Sequence, residues 1–148
     1  MGRLVGINHV AIEVGSVEEA LDFWKKLFGP LKLRGRLAHM AFVDMGDQFV
    51  ALSEPRTQPA DRDAHVGIVV DDKEAVRARA LAEGLEVSGP PSLDVRDPWG
   101  NLLQIVDYRE IQFTKAPAIL EAMGHGGLEK TEAALAELRD RGLSPKGD

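Results

Sequence analysis

The sequence contains no cysteine, one tyrosine, only 5% aromatic residues and no long apolar run. The absence of cysteine excludes disulfide staples and thiol nucleophiles, and it is compatible with a cytoplasmic location. No apolar stretch approaches the length a bilayer span requires. The N-terminal MGRLVGINHVAIEV lacks an apolar core followed by a small-residue cleavage site, so no signal peptide is expected. An excess of basic charge is also missing. Eighteen Lys and Arg against 24 Asp and Glu leave a net charge of -6, which argues against a nucleic-acid partner. No basic amphipathic stretch points to a membrane surface either. What remains is an ordinary globular composition, 44% hydrophobic and 28% charged over 148 residues, enough to bury the core of one compact domain.

The chain repeats itself. Asn8-His9-Val10-Ala11-Ile12-Glu13-Val14 resembles Ala64-His65-Val66-Gly67-Ile68-Val69-Val70, each a β-prone segment with histidine in second place. A helix is predicted after each. Ser16 is the expected N-cap of Val17–Phe28, with Gly29 as terminator and Leu21, Trp24, Leu27 and Phe28 as the apolar face. Asp71 or Asp72 caps Lys73–Glu83, and Gly84 ends it. Three strands follow in each copy. In the first they are Leu31–Arg36, Leu37–Asp44 and Gln48–Ser53, with Met45-Gly46-Asp47 as the last turn. In the second they are Leu85–Ser88, Ser92–Arg96 and Leu102–Tyr108, with Asp97-Pro98-Trp99-Gly100-Asn101 as the turn. The copies keep register: His9 and His65 are 56 positions apart, Gly29 and Gly84 55, and Gly46 and Gly100 54. Polar residues with Pro55 and Pro59 read as a linker over 55–63, between a first module at 1–54 and a second at 64–108.

Strand alternation sorts the side chains. Val10, Ile12 and Val14 belong to the face beneath the first helix, and His9, Ala11 and Glu13 to the opposite one. In the repeat, Val66, Ile68 and Val70 oppose His65, Gly67 and Val69. Both histidines therefore point away from the helices.

A strand bearing histidine, a helix, three strands and a DPxGN turn, all in duplicate order, resemble the vicinal oxygen chelate group of glyoxalases, bleomycin-resistance proteins and extradiol dioxygenases. The resemblance covers residues 4–108. It implies an α+β fold of two βαβββ modules forming a cupped mixed sheet or barrel around a small-molecule cavity, and a homodimer. Metal-dependent members also place a donor on the last strand of each module. In the second module that position matches Gln104, and in the first it falls at Val50 or Ala51, which cannot ligate. The implied metal set is His9, His65 and Gln104, holding a divalent Zn, Ni, Mn or Fe ion without any carboxylate. Glu13, about 13 Å along the strand from His9, is the candidate general base. Arg96 and His39 are candidate substrate contacts, Arg96 for a carboxylate or phosphate.

Residues 111–148 exceed the two-module plan and predict a helical C-terminal extension. A helix over Lys115–Met123 is expected to be capped by Thr114, and a second is expected over Leu128–Arg141 with a Glu137–Arg141 pair. Packing on its own modules, closing the cavity mouth and gripping a partner are all open to this extension. The tail Ser144–Asp148 is expected to fray. The preferred reading is a metal-assisted lyase or isomerase acting on a small oxygenated molecule, with dioxygenation less favoured. The alternative is a metal-free binding protein of the drug-sequestering type. An assembly module built on the C-terminal helices explains the paired histidines poorly.

Overall fold

A computed structural model describes residues 1–144; apart from Ser144, the segment expected to fray lies outside them. Strand β1 (His9–Glu13) leads into helix α1 (Val17–Phe28), then β2 (Leu33–Leu37), β3 (Met40–Asp44) and β4 (Phe49–Ser53). The second round is β5 (Val66–Val70), α2 (Lys73–Ala82), β6 (Leu93–Arg96) and β7 (Leu102–Asp107). Two separate mixed sheets result, ordered β1-β4-β3-β2 and β5-β7-β6. They do not close into a barrel, which corrects that part of the expectation. In each, the module's first strand runs parallel to its last. The segment expected as a strand at Leu85–Ser88 reduces to an isolated bridge, Val87 to Val95. Two cis X-Pro bonds lie close by, in the run Gly89-Pro90-Pro91.

Local chemistry places both helices. Ser16 accepts a hydrogen bond from the Glu19 N–H at 3.2 Å, and Gly29 at φ 79° ends α1 in a conformation that suits glycine. Asp72, of the two aspartates considered, caps α2 by accepting from the Ala75 N–H at 3.1 Å. The buried face of α1 is wider than its periodicity suggests: Val17, Ala20, Leu21, Phe23, Trp24 and Leu27, with Phe28 only partly covered. Val10, Ile12 and Val14 lie beneath it and Ile68 belongs to the same core, so the side chains alternate as strand geometry requires.

Each helix start has a second partner from far along the chain. Glu54, just past β4, accepts from the Val17 N–H at 2.7 Å, and Asp107, at the end of β7, accepts from the Lys73 N–H at 2.9 Å. A carboxylate here meets unpaired N–H groups and the positive end of the helix dipole. Asp107 also accepts from the Arg109 side chain at 2.8 and 2.9 Å and from the Arg109 N–H at 3.0 Å. Burial alone would raise its pKa. The hydrogen bonds from Arg109 and Lys73 and the Arg109 charge outweigh that and bring it to about 2, from 3.8. A depressed folded pKa stabilises above the unfolded value and is lost as pH falls through the folded one. Asp107→Asn is therefore expected to cost about 1–2 kcal/mol at pH 7, discounting for the half-exposed Arg109. Urea unfolding should show the gap between wild type and variant closing as pH drops from near 4 toward 2.

The C-terminal extension packs on its own modules. Its helices are shorter than expected, α3 (Pro117–Ala122) and α4 (Glu132–Asp140). Ala116, not Thr114, stands at the α3 N-cap, without a side-chain bond. Lys115 pairs with Asp47 in the β3–β4 turn, and Met123 and Ile119 sit over Gly46 in the same turn. Further on, the Lys130 ammonium donates to the carbonyls of Tyr108, Ile111 and Phe113 at 2.6, 2.7 and 2.6 Å and lies 3.7 Å over the Tyr108 ring. Thr131 caps α4 by accepting from the Ala134 N–H at 3.2 Å, and Ala134 and Leu138 are its buried residues. The ion pair on α4 is Arg139–Glu132 at 2.5 Å. Among the described residues the expected Glu137–Arg141 pair does not form.

Candidate functional site

The sheet faces turned away from the helices carry the polar side chains. On the first sheet the register sets His9 against Phe49, Ala11 against Ala51 and Glu13 against Ser53. The His9 imidazole lies flat on the Phe49 ring, centroids 4.6 Å apart and planes within 5°. Phe42 meets Phe49 edge-on at 5.5 Å, and the Arg34 guanidinium sits 4.7 Å over the same ring. Of the two positions considered for the first-module donor, Val50 is buried in the core beneath α1. Ala51 faces the open side, where an aromatic ring, not a carboxylate, neighbours His9. Sequence reasoning missed Phe49 because only the ladder register puts it there.

On the second sheet, Gly67 pairs with Gln104 on β7, and Gln104 with Asp94 on β6. One level across this face therefore reads Gly67, Gln104, Asp94, with His65 two residues before Gly67. Both histidines hold Nδ1 against an oxygen, His9 on Asn8 Oδ1 at 2.7 Å and His65 on the Asp63 carbonyl at 2.9 Å, which leaves Nε2 open. They stand on separate sheets. Among the described residues no three His, Cys, Asp or Glu side chains gather in a metal-binding cluster.

The remaining candidates are engaged locally. Glu13 accepts from the Thr57 hydroxyl, at 2.8 Å for Oε2, and from the Thr57 N–H at 3.3 Å. Arg96 donates through Nη1 to the carbonyls of Asp61 and Gly100 at 2.7 and 3.0 Å, which clamps the linker to the β6–β7 turn. His39 lies in the turn between β2 and β3, not on a strand, and its Nδ1 is 3.2 Å from Glu54 Oε1. With Gly15, Glu54 and Pro55 it lines a pocket of about 300 Å³. The Val17 N–H, then His39, hold the Glu54 carboxyl below its ordinary range. His125, in the link between α3 and α4, approaches Asp71 at 3.8 Å.

Two helices above open sheets, in duplicate order, define an α+β protein built from a repeated module. The sequence matches the Glyoxalase/Bleomycin resistance protein/Dioxygenase superfamily over residues 6–105, and the chain belongs to that superfamily. The match stops before α3 and α4. Among solved structures, the chain is similar to a glyoxalase family protein from Bacillus anthracis (24% identity, 72% of this chain and 98% of that one, TM-score 0.58). It is also similar to a fosfomycin resistance protein from Listeria monocytogenes (15%, 71% and 94%, TM-score 0.60). A third is the lactoylglutathione lyase of Agrobacterium tumefaciens (22%, 72% and 96%, TM-score 0.56). At these identities the likeness establishes the fold. No helix is long and apolar enough to cross a membrane among the described residues.

Proposed function

We propose that this protein captures a small polar molecule on the open faces of its two sheets without a resident metal ion. The observation that carries the reading is Phe49. Members of the superfamily often use a divalent metal, but the donors present here fit one poorly. Open-face positions on β4 are Phe49, Ala51 and Ser53, so an aromatic ring and not a carboxylate stands beside His9, and Gln104 adds only a neutral oxygen. A divalent cation favours charged oxygen or several imidazole donors brought together. The stacked His9–Phe49 pair with Arg34 above it suits instead a planar or anionic organic group. A second copy of the chain is the natural cover for two open sheets, which makes a homodimer the expected assembly.

A metal-assisted lyase or isomerase is the second reading, favoured by the two anchored Nδ1 atoms, since ligating histidines commonly fix their other nitrogen this way. In it His9, His65 and Gln104 hold the ion, Glu13 serves as base, and Arg96 and His39 contact substrate. Calorimetric titration with zinc, nickel, manganese and ferrous iron separates the two. The expected result is no stoichiometric binding, and no difference between wild type and a His9→Ala, His65→Ala variant. Near-stoichiometric metal that the double variant loses would overturn the metal-free reading and establish the other.

A further inference from the structure

We propose that Asp94 and Arg96 form the two poles of a binding site for a small amino-acid-like zwitterion, its ammonium on Asp94 and its carboxylate on the Arg96 guanidinium. Both residues lie on β6, two positions apart and so on one face, their Cα atoms about 6–7 Å apart. That face is the open one, because Leu93 and Val95 between and beside them are buried in the core.

Asp94 Oδ1 is shut off from water and has no hydrogen-bond partner, alone among the buried side-chain polar atoms of the described residues; Oδ2 of this half-buried side chain also lacks one, and it is the oxygen a ligand in the pocket can reach. An orphaned carboxylate oxygen destabilises a fold, so its retention calls for a reason outside folding. Only the backbone of Asp94 is engaged locally: its N–H donates to Ser88 Oγ at 3.0 Å, and its carbonyl accepts from the Ser88 N–H at 3.3 Å. Arg96 uses Nη1 on two carbonyls, while Nη2 and Nε have no partner among the described residues. Asp94 and Arg96 do not pair with each other there either.

Between them opens a pocket of about 380 Å³, with Leu85, Val87 and Leu102 as apolar walls and Glu86 and Ser88 at its polar edge. Two carboxylates against one guanidinium favour a ligand carrying a positive charge, and the guanidinium fork favours a carboxylate at its other end.

The inference deepens the reading of the sheet faces as a ligand cup and rests on it. The probe is γ-aminobutyrate, followed through the backbone amide resonances of the full chain, with 4-hydroxybutyrate and butyrate as comparisons. The expected result is saturable millimolar binding that moves the amides of Ser88, Asp94, Arg96 and Leu102. Binding should weaken in the order ammonium, hydroxyl, methyl, with butyrate about tenfold or more below γ-aminobutyrate. Asp94→Asn should abolish that preference, with butyrate, relieved of a like charge beside it, bound at least as well as by wild type, and should hold Tm or raise it by about 2–4 °C. A fall in Tm would show that Asp94 has a structural partner, and with it the proposal fails. It fails equally if the three acids bind alike or none produces saturable shifts at these amides. Those outcomes concern Asp94 whatever the metal titration gives, whereas metal held by His9 and His65 overturns the cup reading itself.

Discussion

Replacing Arg56 by alanine is expected to destabilise the protein by about 3–5 kcal/mol, the cost of breaking a buried, fully engaged charged group. The linker between the modules is polar in sequence, yet the Arg56 side chain is only 10% exposed. Its guanidinium donates to the carbonyls of Gln58 at 2.8 Å, Pro59 at 2.5 Å and Glu13 at 3.1 Å, and to Asn101 Oδ1 at 2.5 Å. Asp61 stands 3.7 Å away as counter-charge. Asn101, itself buried, donates to the same Glu13 carbonyl at 2.8 Å and to Asp97 at 2.6 Å. The end of β1 is thereby fastened to the β6–β7 turn of the other module, so Arg56 sets how the two open faces sit together. Truncation leaves buried acceptors without donors, which costs more than the net worth of the bonds removed. Urea or thermal unfolding measures it, with a fall in Tm of about 10 °C expected. Arg56→Lys should recover only part, because an ammonium lacks the planar fork that reaches four acceptors. A loss below about 1 kcal/mol would show that the linker is not a structural seam.

Gly100→Ala is expected to cost about 3 kcal/mol or more, for two separate reasons. Gly100 has φ of 90°, a region side chains rarely enter, and an added Cβ would stand 2.7 Å from the Ala60 Cα. Backbone lies in the way, where the linker crosses the turn and the Asp61 N–H donates to the Gly100 carbonyl at 2.9 Å. Gly84→Ala is the control. Its φ of 73° carries the conformational penalty, but nothing stands within 4 Å of the added methyl. The difference between the two variants in urea unfolding isolates the steric part, expected at about 1–3 kcal/mol. Equal losses would mean that the linker gives way freely over the turn.

Much of the fold was legible along the chain, since strand alternation, helix caps and terminating glycines are local. The repeated histidine strand, Ser16, Gly29 and Gly84 each act within a few residues of where they stand, and their spacing exposed the duplication. That determined the superfamily, the α+β class and the side of each strand that faces the helices. The candidate site was legible only in part. His9 and His65 stood out because they recur in the repeat, and Gln104 only because the resemblance implies a donor on the last strand of each module.

Tertiary structure alone decided what stands beside them. Phe49 meets His9 through a parallel register between strands 40 residues apart, and such a register is set by packing of the whole sheet, not by either strand. Glu54 and Asp107 reach helix starts 37 and 34 residues away, so no local capping pattern announces them. Asp94 reads as an ordinary strand-edge acid until the fold closes around one of its oxygens. The Leu85–Ser88 segment has the composition of a strand but joins the sheet through one bridge only. Composition and period set the faces of each element because those forces act along the chain. The partners across them come from close packing and long-range pairing, which the order of residues specifies only through the folded whole.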